Sequence, residues 1–186
     1  GAKNGDALWL VGTLGDPAAG RAQLHADEAP AGPLVDVYRR PVPLLAPGQA
    51  LAPVAHAMMD VSDGLLLDAM RLAEASGLSA EIDLDALPLS RAFIAEHSAD
   101  ADARLFAATG GDDYALLVAL AADADPLRLS LPRGTRIVRV GSLAAEGSLL
   151  SLVSGGRPVP LPERLGFEHQ GHQHRRDSGP PMADRS

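Results

Sequence analysis

Apolar residues recur along this chain with two periods, and the change from one to the other marks out the elements. Ala7 to Val11 is a short apolar run that predicts a strand, and Gly12 to Asp16 predicts a turn. Pro17 suits the first position of a helix running through Ala18, Ala19 and Ala22 to Leu24. Asp27 to Pro33, rich in proline and acidic residues, reads as a loop, and the prolines after Arg40 predict an extended path over Tyr38 to Pro43. Gln49 to Met58 is apolar enough for a packed helix with Pro53 in its first turn, while the apolar residues up to Met59 also read as the end of a buried strand. Leu65, Ala69, Leu72 and Ala73 then fall at helical spacing, and Gly77 is placed to cap that helix.

The second half continues the alternation. Ala80 to Leu84 has the two-residue period of a strand, Ser90 is a candidate cap for a short helix over Arg91 to His97, and Asp100 to Ala108 predicts another helix before Gly110-Gly111. Tyr114 to Leu120 reads as a buried strand. Further strands are expected around Ile137, Val138 and Val140 and over Ser148 to Ser154, followed by an extended Pro158-Val159-Pro160 segment. Together these elements predict an α/β (α+β two-layer) domain: a mixed, largely antiparallel sheet covered by helices, with the helix after Gly64 lying against it.

Composition narrows the function classes. The 186 residues are 46% hydrophobic, enough for one buried core, and the formal net charge of −8 argues against general nucleic-acid binding, whose footprint is a basic patch. No cysteine is present, so disulfides and thiolate metal sites are excluded. No apolar run reaches the ~18 residues of a membrane-spanning helix, and cytoplasm is the default expectation. After Gln170 the chain is polar and irregular, and residues 170–186 are expected to be a disordered tail. His169, His172 and His174 near that tail lack a rigid scaffold for a dedicated metal site.

The stretch from Met59 to Leu66 carries the most chemistry. Asp60, Ser62 and Asp63 sit where a strand turns into a helix, and the turn allows two readings. In one, Ser62 or Asp63 caps the helix and Asp60 is a solvated strand end. In the other, the helix N-terminus attracts phosphate while Asp60 and Asp63 supply the hard oxygens that Mg²⁺ prefers. Gly110-Gly111-Asp112-Asp113 likewise reads as an ordinary turn or as a place where backbone approaches a ligand and carboxylates face it. The glycines at 12 and 15 lack the spacing and lysine of a phosphate-binding loop, and Arg39 and Arg40 read as a surface or interdomain contact.

Laid side by side, several blocks resemble one family in the right order. They are Gly1-Ala2-Lys3-Asn4-Gly5-Asp6, Val11 to Gly20, Arg40-Pro41-Val42-Pro43, Met59 to Leu65, Ile82-Asp83 with Leu87 to Ser90, Gly110 to Tyr114, and Gly166-Phe167-Glu168-His169. Over residues 1–169 the chain resembles the C-terminal part of thiamine-monophosphate kinase, of the aminoimidazole-ribonucleotide-synthetase superfamily. The resemblance implies in-line transfer of the γ-phosphoryl of ATP to thiamine monophosphate, giving thiamine diphosphate. It further implies Mg²⁺ held by Asp60 and Asp63, an ATP phosphate bonded by Ser62, and the thiamine moiety met by Asp112 and Phe167. Asp112 stands where the family usually has glutamate, and Ala115 where an acidic residue is common. Phe167 fills a place also taken by tyrosine, and an aromatic face suits a cationic thiazolium; the other reading of Phe167 is a residue that seals the domain edge.

Most of the family's acidic metal ligands lie in an N-terminal half, so the resemblance implies that this chain is the C-terminal portion, incomplete as a catalyst, and that the complete protein is a homodimer. The start at Gly1 without an initiator methionine fits that expectation. The alternatives are another ATP-using enzyme of the superfamily, acting on a purine intermediate or selenide, and a non-catalytic interaction fragment.

Overall fold

A computed structural model describes residues 1–26 and 30–167. The expected tail, the three histidines near it, Glu168 and most of the acidic stretch after Ala26 lie outside the described residues. Strand β1 (Ala7–Val11) is followed by helix α1 (Asp16–Ala26), α2 (Pro33–Arg39), α3 (Leu45–Leu51), β2 (Ala57–Val61), α4 (Leu65–Ser76) and β3 (Ser79–Asp83). A 3₁₀ turn at Leu84–Ala86 leads to α5 (Arg91–His97), α6 (Ala101–Thr109) and β4 (Ala115–Leu120). After a second 3₁₀ turn the chain ends its sheet with β5 (Ile137–Ala144), β6 (Leu150–Ser154) and β7 (Arg157–Val159).

The strands form one seven-stranded sheet in the order β2-β4-β1-β5-β3-β6-β7. All neighbours run antiparallel except β3 and β6, which are parallel. This is the mixed, largely antiparallel sheet that the alternation predicts. The side chains alternate across the sheet as the pleat requires. Leu8 and Leu10 of β1, Leu117 and Ala119 of β4 and Ile82 of β3 face the main core with Leu65, Leu66, Ala69, Leu72 and Ala73 of α4 and Phe93 of α5. Val11, Val118 and Leu120 face the other way, where Leu51 of α3 joins them in a smaller cluster. Most helices thus share one face, and α3 covers part of the other.

Two stretches differ from the pattern's expectation. Tyr38 and Arg39 belong to α2, because Pro33 starts a helix that runs to Arg39 before the prolines act. The apolar stretch after Gln49 is divided: α3 ends at Leu51, and Met58 lies in β2, hydrogen-bonded in register with Val118. Local hydrophobicity cannot separate a short buried helix from a buried strand, and here the edge of β4 decides it. By contrast Gly77 caps α4 in the left-handed conformation at φ 66°, and the Ser90 hydroxyl oxygen caps α5 by accepting from the Phe93 N–H at 3.0 Å.

The crossing of α1 and α2 depends on Gly20. A Cβ there would lie 2.2 Å from the Leu34 carbonyl oxygen, a backbone atom that cannot rotate away. Gly20→Ala is therefore expected to lower stability by about 1–3 kcal/mol in urea unfolding, the usual cost of overpacking, despite alanine's better helix propensity. An unchanged or raised midpoint would contradict the close crossing.

Candidate functional site

The end of the sheet where β1 and β2 finish and β4 begins gathers three stretches distant in sequence. Ser62 and Asp63 leave β2 in a turn whose two N–H groups both donate to Oδ2 of Asp68, at 2.9 and 3.1 Å. Asp68 is on the first turn of α4 and fully buried. Its other oxygen accepts from Arg71 at 3.1 Å, and Arg71 also donates to Oδ2 of Asp63. The cap of α4 is thus Gly64, with no side-chain cap from Ser62 or Asp63. Asp68 reaches back instead, at the end of the helix where a negative charge is favoured.

The Gly110–Tyr114 loop fastens to this turn. The Asp112 N–H donates to the Ser62 carbonyl at 2.8 Å and the Tyr114 N–H to the Val61 carbonyl at 3.1 Å. Gly111 makes the approach possible: its φ is +73°, and a Cβ would lie 2.7 Å from the Ser62 oxygen. Asp112 and Tyr114 are themselves left-handed, at φ 62° and 51°, a conformation uncommon in residues with a Cβ and concentrated at functional sites. The third stretch arrives at Phe167, whose N–H donates to the Asp63 carbonyl at 2.7 Å.

Of the residues singled out from the sequence, Ser62, Asp63, Asp112 and Phe167 therefore meet at one junction. Ser62 and Asp112 are exposed, and Phe167 is 50% exposed. Asp60 is exposed too, but strand alternation turns it away from Met59 and Val61, which pack on the main core. Ala115 is buried at the start of β4 beside Gly12.

The family model described as AIR synthase related protein, C-terminal domain, matches residues 3–151. The chain belongs to this family. A thiamine-monophosphate kinase of Salmonella typhimurium is 36% identical over 180 residues, which cover 91% of this chain and 54% of that relative. Among solved structures, a thiamine-monophosphate kinase from Stenotrophomonas maltophilia K279a superposes with a TM-score of 0.65 at 34% identity, over 85% of this chain and 52% of that one. A structure described as AaThiL complexed with AMPPCP and TMP gives a TM-score of 0.71 at 28% identity, over 90% and 53%. The chain spans about half the length of the curated relatives it matches.

In this AIR-synthase-related domain three buried or half-buried carboxylates lie around the junction: Asp16 and Asp68, to which the motif reading gave no role, and Asp113, which it named only as one of two carboxylates in the glycine-rich turn. Asp16 opens α1, and its oxygens accept from the Ser90 hydroxyl at 2.6 Å and the Thr13 hydroxyl at 3.2 Å. Burial raises its pKa, against the lowering by those two hydroxyls. Burial likewise raises that of Asp68, against the lowering by the Ser62 and Asp63 N–H groups and Arg71. Asp113 accepts the Gly15 N–H at 2.7 Å with one oxygen, and its other oxygen is buried with no partner. Burial, followed by the charges of Asp16, Asp112 and Asp68, drives its pKa well above the ordinary carboxylate value, against the lowering by the Gly15 N–H.

Asp68 had a signal in the sequence: it occupies a position on the apolar stripe of Leu65, Ala69 and Leu72, where a carboxylate requires buried partners. Asp113 was visible as a carboxylate of the glycine-rich turn, but its burial had no signal, because it arises where the start of α1 meets that turn through the Gly15 N–H. Beside Phe167 a cleft of about 420 Å³ opens between α1, the end of α6 and the closing segment.

Two outcomes follow. In Asp68→Asn the amide oxygen still accepts from the turn but the NH₂ faces a guanidinium donor, whereas Asp68→Ala leaves the turn N–H groups unpaired. Urea unfolding is expected to show a loss of roughly 1–3 kcal/mol for the alanine variant and less for asparagine, and equal losses would argue that the turn contacts contribute nothing. For Asp113, the native state holds its proton more tightly than the unfolded chain does. Its contribution to stability is present below the ordinary carboxyl value of 3.8 and is lost as pH rises through the raised native value. Asp113→Asn is expected to raise the melting temperature at pH 7 and to flatten its decline between pH 4 and 7, with Asp16 and Asp68 keeping part of the slope. An identical slope in both proteins would refute the buried charge.

Proposed function

We propose that this domain takes part in ATP-dependent phosphorylation of thiamine monophosphate to thiamine diphosphate. The observation that carries the reading is the convergence of Ser62-Asp63, Gly111-Asp112 and Phe167 on one junction, the latter two each tied to the Ser62-Asp63 turn by a backbone hydrogen bond. The likeness to thiamine-monophosphate kinases over nine-tenths of the chain supports it. The reaction is a direct in-line displacement: a phosphate oxygen of thiamine monophosphate attacks the γ-phosphorus of ATP, the bond to the β,γ-bridging oxygen breaks, and ADP leaves with that electron pair. No covalent intermediate with the protein is involved.

In this reading the exposed Ser62 hydroxyl donates to an ATP phosphate oxygen at the start of α4, whose dipole favours anions. Asp112 faces the cationic part of the thiamine moiety, and the Phe167 ring lies against it. The donors match Mg²⁺ in kind but not in number. Asp60 and Asp63 are hard carboxylates, yet Asp63 is shared with Arg71, and no cluster of three or more metal-ligating side chains occurs among the described residues. They therefore serve as part of a ligand set. When bound, Mg²⁺ neutralises charge on the ATP phosphates. Arg71 holds the Asp63 carboxylate in place in its absence. Further parts of the proposal are a homodimeric complete protein, a cytoplasmic location and a separate tail beyond residue 169. No described helix is long and apolar enough to cross a membrane.

The test is a chimera in which this chain replaces the matching half of the Salmonella typhimurium relative. It is expected to form thiamine diphosphate from thiamine monophosphate and Mg-ATP, detected by chromatography. Asp60→Asn and Asp63→Asn are expected to cut turnover at least about 100-fold, near 2.7 kcal/mol of barrier, at unchanged melting temperature. A folded chimera that binds Mg-ATP and releases ADP only with a purine intermediate or selenide would overturn the substrate; full turnover in both variants would overturn the metal ligands.

A further inference from the structure

A second hollow, of about 190 Å³, lies where the extended segment after α2 meets the Asp113 loop and the start of α1. Asp16 and Asp113 both line it, but only Asp113 has capacity left. Both Asp16 oxygens already accept hydroxyls, from Ser90 and Thr13, whereas Oδ2 of Asp113 is buried without a hydrogen-bond partner. A buried acceptor in that state is unfavourable, and a ligand that brings a donor relieves it. Arg40, which the sequence marked only as a surface or interdomain contact, lines the same hollow. No ion pair joins it to Asp113 among the described residues. Val37, Val42 and Tyr114 complete the lining with large apolar groups, all of them exposed and Val42 by 76%.

These groups exclude the simpler ligands. A divalent cation needs several hard oxygens, and one is on offer. A phosphate would meet Arg40 but also two carboxylates, and an amine alone would sit beside a guanidinium with no charge to match it. A molecule carrying both charges on a short apolar skeleton satisfies every wall. We infer that this hollow binds a small amino acid, its ammonium donating to Oδ2 of Asp113, its carboxylate accepting from Arg40, and its apolar carbons against Val37, Val42 and Tyr114. The negative charges of Asp16, Asp112 and Asp68 around Asp113 favour an ammonium over a neutral donor. The volume is below the ~300–1,000 Å³ of drug-sized sites, which restricts the ligand to a short side chain. This ligand is no reactant of the phosphoryl transfer. Asp113 follows Asp112 in the chain and is bonded to Gly15, so an amino acid held here acts as an effector of the loop.

The experiment is isothermal titration calorimetry of the whole 186-residue chain at neutral pH with leucine and valine. Isoamylamine, which lacks the carboxylate, and isocaproate, which lacks the ammonium, are the comparison ligands. Leucine or valine is expected to bind at least about tenfold more tightly than either of them. Asp113→Asn is expected to lose that gain without weakening isocaproate, and Arg40→Gln to lose it without weakening isoamylamine. A misfolded variant would not lose one charge's partner and keep the other's, and Asp113→Asn is expected to melt above the parent. Amino-acid affinities unchanged in both variants would overturn the site, and isoamylamine bound as tightly as leucine would overturn the role of Arg40 and the amino acid with it. Absence of binding by all four compounds would overturn the proposal outright.

Discussion

One buried carboxylate organises the junction on which everything else in this domain converges. Asp68 faces a desolvation cost that only several simultaneous bonds can offset, and it meets that cost with two backbone N–H groups and a guanidinium. The same bonds fix the backbone of Ser62 and Asp63 as β2 passes into α4. A capping serine or aspartate would have turned its own side chain onto the helix. Reaching back from the helix leaves the Ser62 hydroxyl exposed and available to a ligand.

The turn then serves as a template. Its carbonyls, pointing outward, accept the N–H groups of Asp112, Tyr114 and Phe167 from two later parts of the chain. This explains the backbone conformation of the Gly110–Tyr114 loop, where Gly111 has no room for a Cβ and two neighbours with side chains adopt positive φ. Such strain persists only where surrounding structure over-determines it, as here, between a turn fixed by Asp68 and a strand paired on both sides. The acids around the junction add a second tension. Asp113 is buried with an oxygen unmatched, close enough to Asp16, Asp112 and Asp68 to feel their charge.

Much of the fold was legible along the chain because the periods were clean. The α4 stripe, its glycine cap, the Ser90 cap and strands β1, β4, β5 and β6 all follow from residue type and spacing alone. The misassigned stretch around Met58 failed for a physical reason: a short apolar stretch such as Gln49 to Met58 suits a helix or a strand equally, and pairing with Val118 across the sheet is a tertiary fact. Part of the site was legible as well. Asp60, Ser62, Asp63, Asp112 and Phe167 stand out as polar or aromatic residues in motifs of known order. What linear reading could not supply was direction and partner: Asp60 lies on the face of β2 opposite Met59 and Val61, while Asp63, in the turn beyond the strand, is paired with Arg71.

By itself the sequence determined the class of the fold, the residue types at the junction and the family to which they belong, because periodicity and motif order are properties of the linear chain. Only the tertiary structure decided which groups are desolvated and which are matched. Asp113 looks like any surface carboxylate until the start of α1 meets the Gly110 loop around it. Burial and charge pairing depend on what lies within a few ångströms, and for Asp113 that includes Gly15, 98 residues away in the sequence.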